Sequence, residues 1–316
     1  MSESVQFLWS RGAFGWSEGR CVETDRPGRW LVFPGKSEST PYQPLEDAPV
    51  LFRTFADVKH TENGVQEFAK RFGWLGTGDQ IIETSRRGRR LLESGERLGY
   101  WRQAILTMRE ATALWDALLQ DDRSALRKRI TLTNQEGGGT DAVYVGQHLR
   151  GVKAVITNGR IRANWQRHLV GPLHKRYRRA GWLQLQRFVN KRLERNFAPR
   201  LLVGESDQPK VHLVPQHLHG ALWWQFAQAV DSGRTHRHCD QCGQWVEISW
   251  STGGRRRHAR FCSESCRVRH SQQKKRRAQG LWKDGVSVKE ITERVDGREA
   301  TVRRWTSGLP RGRPRR

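Results

Sequence analysis

The chain has 316 residues, 36% of them hydrophobic, with 14 tryptophans and a formal net charge of +25. That length leaves room for one large domain with a sizeable core and one or two small ones, and so basic a chain points to a polyanionic partner. The longest uncharged apolar run, Gly220 to Val230, is far short of the ~20 residues that cross a bilayer, which excludes a spanning helix from the reading and leaves no membrane as a partner.

The start, Met1-Ser2-Glu3-Ser4, has no secretory apolar segment, so the expected location is cytoplasmic, in association with the nucleoid. Gly28 to Pro34 and Val50 to Phe55 read as short strands separated by Pro and Gly. Cys21 stands alone between turns and is expected to be a small buried hydrophobe. Thr61 is placed to cap a helix over Glu62 to Phe72, with Val65, Phe68, Ala69 and Phe72 on its apolar face. The longest helical signal runs from about Glu96 to Arg129, with Leu98, Trp101, Ile105, Met108, Thr112, Trp115 and Leu119 on one stripe.

Gly137-Gly138-Gly139 is a loop without the Lys-Ser/Thr of a phosphate cradle, and Asn158-Gly159 predicts a hairpin turn within Val152 to Arg162. His168 to Asn196 predicts a basic helix, read either as a solvated face or as a phosphate-contacting one. Leu201 to Val214 predicts a pair of strands and Gln216 to Val230 a helix. The composition then turns to Arg, His and Cys. From Gly233 onward there are 22 Lys and Arg against 8 Asp and Glu, a net +14, while the 232 residues before it carry +11.

Cys239-x-x-Cys242 and Cys262-x-x-x-Cys266 carry the sharpest chemical signal. Zinc takes four thiolates in a tetrahedron. A Cys-x-x-Cys knuckle supplies two from one turn, and Cys262 and Cys266 can face the same point from a helix start. About 19 residues join the pairs, enough for a hairpin through Trp245, Val246, Ile248 and Trp250 but too few for a self-sufficient apolar core. One structural Zn²⁺ held by Cys239, Cys242, Cys262 and Cys266 is expected, with His238, His258 and His270 outside its shell.

The run Cys-Asp-Gln-Cys-Gly-Gln-Trp, then Arg255-Arg256-Arg257 and Arg260-Phe261-Cys262-Ser263-Glu264-Ser265-Cys266-Arg267-Val268-Arg269, resembles treble-clef zinc fingers of the CGNR type from bacteria. The resemblance covers about 40 residues and departs from the family at Cys266-Arg267-Val268-Arg269, where Cys-Gly-Asn-Arg is usual. It implies a C-terminal finger on a transcription regulator.

Arg267 to Lys283 predicts a basic helix ended by Gly285, with Lys274-Lys275-Arg276-Arg277 at its middle. Ser287 and Glu290 form a capping-box pattern for a second helix with Ile291 and Val295 inward. A third follows around Val302 and Trp305. This order is similar to resolvase-like and Xre-like helix-turn-helix DNA readers, whose last helix enters the major groove. Pro310-Arg311-Gly312-Arg313-Pro314 is similar to an AT-hook core, in which arginines enter a narrow minor groove.

The sequence thus predicts an α+β fold in four parts. Residues 1–232 form a mixed domain of unassigned role, 233–270 a zinc finger, 271–308 a helix-turn-helix and 309–316 a basic AT-hook-like tail. The expected function is sequence-reading binding of double-stranded DNA, with no catalytic residue assigned and homodimerisation left open. The candidate DNA contacts are Lys274, Lys275, Arg276, Arg277, Arg298, Thr301, Arg303, Arg304, Arg311 and Arg313. Two alternatives remain. One is a nucleic-acid-processing enzyme with its catalytic domain in residues 1–232, to which Val143-Tyr144-Val145-Gly146 offers only half of a nuclease-like motif. The other is an RNA-binding protein favoured by the tryptophans and the basic helix.

Overall fold

The computed structural model describes residues 7–33, 40–86, 88–134, 140–145, 153–155, 169, 171–203, 208–248 and 260–312. The fold is mixed helix and strand, α+β, and the chain divides into two units at Gly233 and Arg234. The N-terminal unit begins β1 (Trp9–Arg11), β2 (Gly15–Cys21), β3 (Pro27–Val32), β4 (Thr40–Tyr42), α1 (Pro44–Asp47), α2 (Leu51–Asp57) and α3 (Glu62–Phe72). It continues β5 (Asp79–Arg86), β6 (Arg89–Arg97), α4 (Leu98–Leu119), α5 (Arg123–Arg129), β7 (Ile130–Asn134), β8 (Thr140–Val145) and β9 (Lys153–Val155). It closes with α6 (Leu173–Asn196), β10 (Phe197–Val203), β11 (Pro209–Pro215) and α7 (Leu218–Asp231).

Helix α4 is the axis of this unit. Trp101, Ile105, Met108, Ala111, Leu114, Trp115 and Leu118 on it are fully buried. Helices α2, α5 and α6 pack against α4, and α7 packs against α2 and α6. Truncating one such aromatic side chain typically costs about 3–5 kcal/mol. Strands β2, β3, β6 and β5 close into a small antiparallel barrel around Cys21, Trp30, Val32 and Ile82. Cys21 is therefore the buried hydrophobe its isolation predicts.

Helix α3 forms as its cap and apolar face require. The Thr61 hydroxyl accepts from the Gly64 N–H at 3.3 Å, and Val65, Phe68, Ala69 and Phe72 are buried. The expected helix to Arg129 instead breaks at Gln120. Asp121 takes a positive φ of 50°, and the Asp122 carboxylate caps α5 through the Ala125 N–H at 3.0 Å. Leu119 consequently ends up 37% exposed rather than on the buried stripe.

The segment expected as a strand over Val50 to Phe55 is helix α2. Leu51, Phe52, Phe55 and Ala56 are buried together, a helical spacing, and Arg53 reaches Asp116 of α4 with two hydrogen bonds at 2.7 and 2.6 Å. Packing against α4 outweighs the β preference of the aromatics. The arginine-rich stretch around Arg89 forms the tip of the β5–β6 hairpin. Of the hairpin expected within Val152 to Arg162, strand β9 pairs with β8, while the turn at Asn158-Gly159 and the triple glycine lie outside the described residues.

A buried polar chain links β6, α4 and α7. Glu96 accepts from the Leu75 and Gly76 N–H groups at 2.9 and 2.6 Å. The Tyr100 hydroxyl meets Thr77 Oγ1 and lies 3.3 Å from His219 Nδ1. His219 Nε2 accepts from the Trp223 indole N–H at 3.0 Å, which assigns the proton of a neutral imidazole to Nδ1. Burial first, then the charges of Arg192 and His217, push the His219 imidazole down to about 3.

This shift has a signed consequence. Between about pH 6.5 and 3 the unfolded chain binds a proton at residue 219 that the folded chain refuses, so His219 stability is full above pH 6.5 and falls below it. The expected loss from pH 7 to pH 5 is about 2 kcal/mol. Urea unfolding of His219→Gln and wild type at both pH values measures it. An equal pH dependence in the two proteins would refute it.

The C-terminal unit holds β12 (His236–His238), β13 (Trp245–Glu247), α8 (Glu264–Lys283), α9 (Val288–Arg294) and α10 (Glu299–Thr306). It has two small cores, joined by α8. The first contains Cys239, Val246 and Cys266, flanked by Phe261 and Cys262. The second contains Ala278, Ile291, Val295 and Val302, flanked by Leu281, Trp282, Val286, Val288 and Trp305. Helix α9 starts at Ser287, whose hydroxyl accepts from the Glu290 N–H at 3.3 Å. The Glu290 carboxylate accepts from Arg294 at 2.6 Å.

Candidate metal centre

The knuckle is built by the β12–β13 hairpin. The Cys239 N–H donates to the Gln244 carbonyl at 2.8 Å and the Gly243 N–H to the Cys239 carbonyl at 2.9 Å. Gly243 sits at φ 70°, where a side chain would be strained. The second pair is set by the start of α8. The Ser263 hydroxyl caps the helix through the Cys266 N–H at 3.1 Å, which aims Cys266 at the same point as Cys262. The two halves are tied by Arg260, whose guanidinium donates to Asp240 at 2.5 Å, and by the Asp240 N–H donating to the Arg260 carbonyl at 2.9 Å. The Arg260 hydrogen bond holds the Asp240 carboxyl below its ordinary range.

The four sulfurs converge, all within 4.8 Å of one another, with Cys242–Cys262 at 3.5 Å and Cys262–Cys266 at 3.3 Å. Zn–S bonds of about 2.3 Å place tetrahedral sulfurs about 3.8 Å apart, so the spacing fits a single zinc ion. Four thiolates leave no position for water or substrate, which makes this a structural site. The arrangement already prepares charge. Burial opposes ionisation of Cys239, but N–H groups of Cys242, Cys262 and Gln241 outweigh it and lower the thiol to about 6. Cys262 is raised by burial and by thiol hydrogen bonds to its neighbouring cysteines, an effect that a bound cation would reverse.

All four predicted ligands are thus brought together, and among the described residues no histidine joins them. His238 donates Nδ1–H to the Gly243 carbonyl at 2.8 Å and lies against Trp245; His270 lies against Phe261. His258 and Trp250 lie outside the described residues. The cluster fits a zinc finger.

The other predicted site residues are spread over the three helices. Lys275, Arg276, Arg277, Arg298 and Arg304 are exposed and have no ion-pair partner among the described residues. Lys274 is engaged, donating to the Asp296 carbonyl at 2.8 Å and its carboxylate at 3.3 Å. Arg303 is paired with Glu299 at 2.6 Å on the same helix face, a surface pair worth about 0.3–0.5 kcal/mol and readily exchanged. Thr301 is half-buried. Arg311 lies over the Trp282 ring at 5.1 Å and donates to the Gly285 carbonyl at 3.1 Å; Arg313 lies outside the described residues. In the nuclease-like fragment Tyr144 is buried with its hydroxyl on Glu110, and Gly146 lies outside the described residues. Sequence reasoning missed Gln241 in the knuckle and Arg269 and Gln273 on α8; the spacing of the latter two was legible, but their nearness to Gln241 was not.

Comparison with protein-family models, curated proteins and solved structures finds no match to the chain. None of the helices is long and apolar enough among the described residues to cross a membrane.

Proposed function

We propose that this protein is a sequence-reading DNA-binding protein, a transcription regulator of the CGNR zinc-finger type without catalysis of its own. The observation that carries the reading is the set of exposed cations on the zinc-held unit. Lys275, Arg276, Arg277, Arg298 and Arg304 have no carboxylate partner among the described residues, on a unit of the chain that is itself strongly basic. Unpaired arginines in water are the groups that release counterions on meeting phosphate. Helices α9 and α10, joined by a turn at Asp296 and Gly297, act as the helix-turn-helix, with α10 in the major groove and Arg303 and Arg304 towards the bases. The tail acts as an AT-hook. Arg311 leaves Trp282 to do so, at about 0.5–1 kcal/mol for an exposed cation–π contact.

Selection of bound fragments from random genomic DNA tests the reading. An enriched sequence is expected. Arg303→Ala should relax preference at one position of it by about 1–3 kcal/mol, while Arg311→Ala with Arg313→Ala should weaken binding chiefly where the site is flanked by A·T pairs. Absence of any enriched fragment would end the proposal.

A further inference from the structure

Two open grooves adjoin at the tip of the zinc knuckle, one on each side of Gln241 and Gln273. The first, about 370 Å³, is lined by Gln241, Arg269, Gln272, Gln273 and Arg276 and, among the described residues, by no carboxylate. The second, about 450 Å³, adds Arg260, Lys274, Arg277 and Arg294. Its two carboxylates are already satisfied, Asp240 by Arg260 and Asp296 by Lys274. Arg269, Gln272, Gln273 and Arg276 are spaced i, i+3, i+4 and i+7, which puts them on one face of α8. Arg269 and Arg276 lie about 10 Å apart along the helix, and neither has an ion-pair partner among the described residues.

We infer that these grooves form a second nucleic-acid contact, a cradle for successive phosphates of one duplex strand, made jointly by the zinc knuckle and α8. The inference rests on the duplex-binding reading above and adds a place and a chemistry to it. Three features select phosphate. The grooves are concave, so a backbone ridge enters where a flat base edge would not. Their free charges are arginines, whose planar forks match phosphate oxygens. Among the described residues the first groove is lined by arginine and glutamine alone, with no aromatic side chain on which the base of a single strand would stack. Glutamine amides add neutral donors to phosphate oxygens and carry no sequence information in that role. Zinc then acts beyond the fold of the finger itself, because Gln241 lies between Asp240 and the ligand Cys242, inside the knuckle that the metal clamps.

The test uses full-length, zinc-loaded protein and mixed-sequence duplexes, with affinity followed against salt concentration. Arg269→Ala with Arg276→Ala should reduce the slope of log affinity against log salt by about 2 and weaken every duplex alike. Lys70→Ala with Lys128→Ala removes the same charge from the N-terminal unit and should leave the slope unchanged. Zinc content verifies the fold of the alanine pair; if zinc is lost, Arg269→Gln with Arg276→Gln is read in its place. An unchanged slope, an equal loss in the Lys70 and Lys128 control, or a loss confined to single strands or RNA would overturn the inference. Wild type that ignores duplexes altogether would overturn the reading beneath it, whatever the variants do.

Discussion

Cys239→Ser with Cys242→Ser is expected to abolish zinc binding, from one ion per chain to none, and to unfold the finger. The expected effect is large because the finger has almost nothing else. Its core is Cys239, Val246 and Cys266 with Phe261 and Cys262 beside it, and three of those five side chains are ligands. Structural zinc contributes on the order of 10–16 kcal/mol in comparable peptides, as much as the whole stability of an ordinary domain. Hydrogen exchange locates the damage. Amides of β12, β13 and the first turns of α8 should lose protection, because Ser263 no longer caps a helix whose Cys266 is anchored. Amides of α9 and α10 should keep theirs, since Ile291, Val295 and Val302 share no core side chain with the finger. Those of α4 should not change. A variant that retains stoichiometric zinc, or wild type purified with none, would refute the metal centre.

What the sequence reveals here depends on how local the cause is. The zinc site was legible because ligand spacing is local: a two-residue knuckle and a helix start each fix two sulfurs with a few bonds, as Gly243 and Ser263 do. Helices α3 and α9 were legible for the same reason, each through a hydroxyl cap and an apolar face. Helix α2 was not. Its aromatic run has β propensity, and the helix is held by partners distant in sequence, Arg53 meeting Asp116 and the Gln225 side-chain oxygen accepting from the Phe52 N–H at 3.4 Å. The barrel was not legible because it is closed by long-range pairings, β2 with β5 and β3 with β6. The break after α4 was readable in Gln120-Asp121-Asp122, since Asp tolerates positive φ and caps helices, yet an unbroken apolar stripe concealed it. The grooves beside Gln241 belong to the other kind, because they arise where two segments distant in the sequence, the knuckle and α8, meet.

Removing Glu110 is expected to destabilise the N-terminal unit by about 3–5 kcal/mol, the cost of leaving a buried charge without its partner. Glu110 lies fully buried on α4. Its carboxylate accepts from Arg129 Nε at 3.2 Å and from the Tyr144 hydroxyl, so it joins α4 to the end of α5 and to β8. Burial and the Glu110 charge together raise the Tyr144 hydroxyl, which stays protonated and donates. In Glu110→Leu, Arg129 loses its carboxylate and keeps the Ala125 carbonyl, at 3.2 Å, in a site where it is 7% exposed. Glu110→Gln should cost roughly half as much, because an amide oxygen still accepts from both partners while the charge pairing is lost. The decisive protein is Glu110→Leu with Arg129→Leu. Two apolar side chains of similar bulk remove both desolvation penalties, so the double variant should recover most of the loss. Hydrogen exchange in α4 and urea unfolding give the cycle. If the two single losses simply add, Glu110 and Arg129 are not coupled, and their ion pair does not hold α4 to α5.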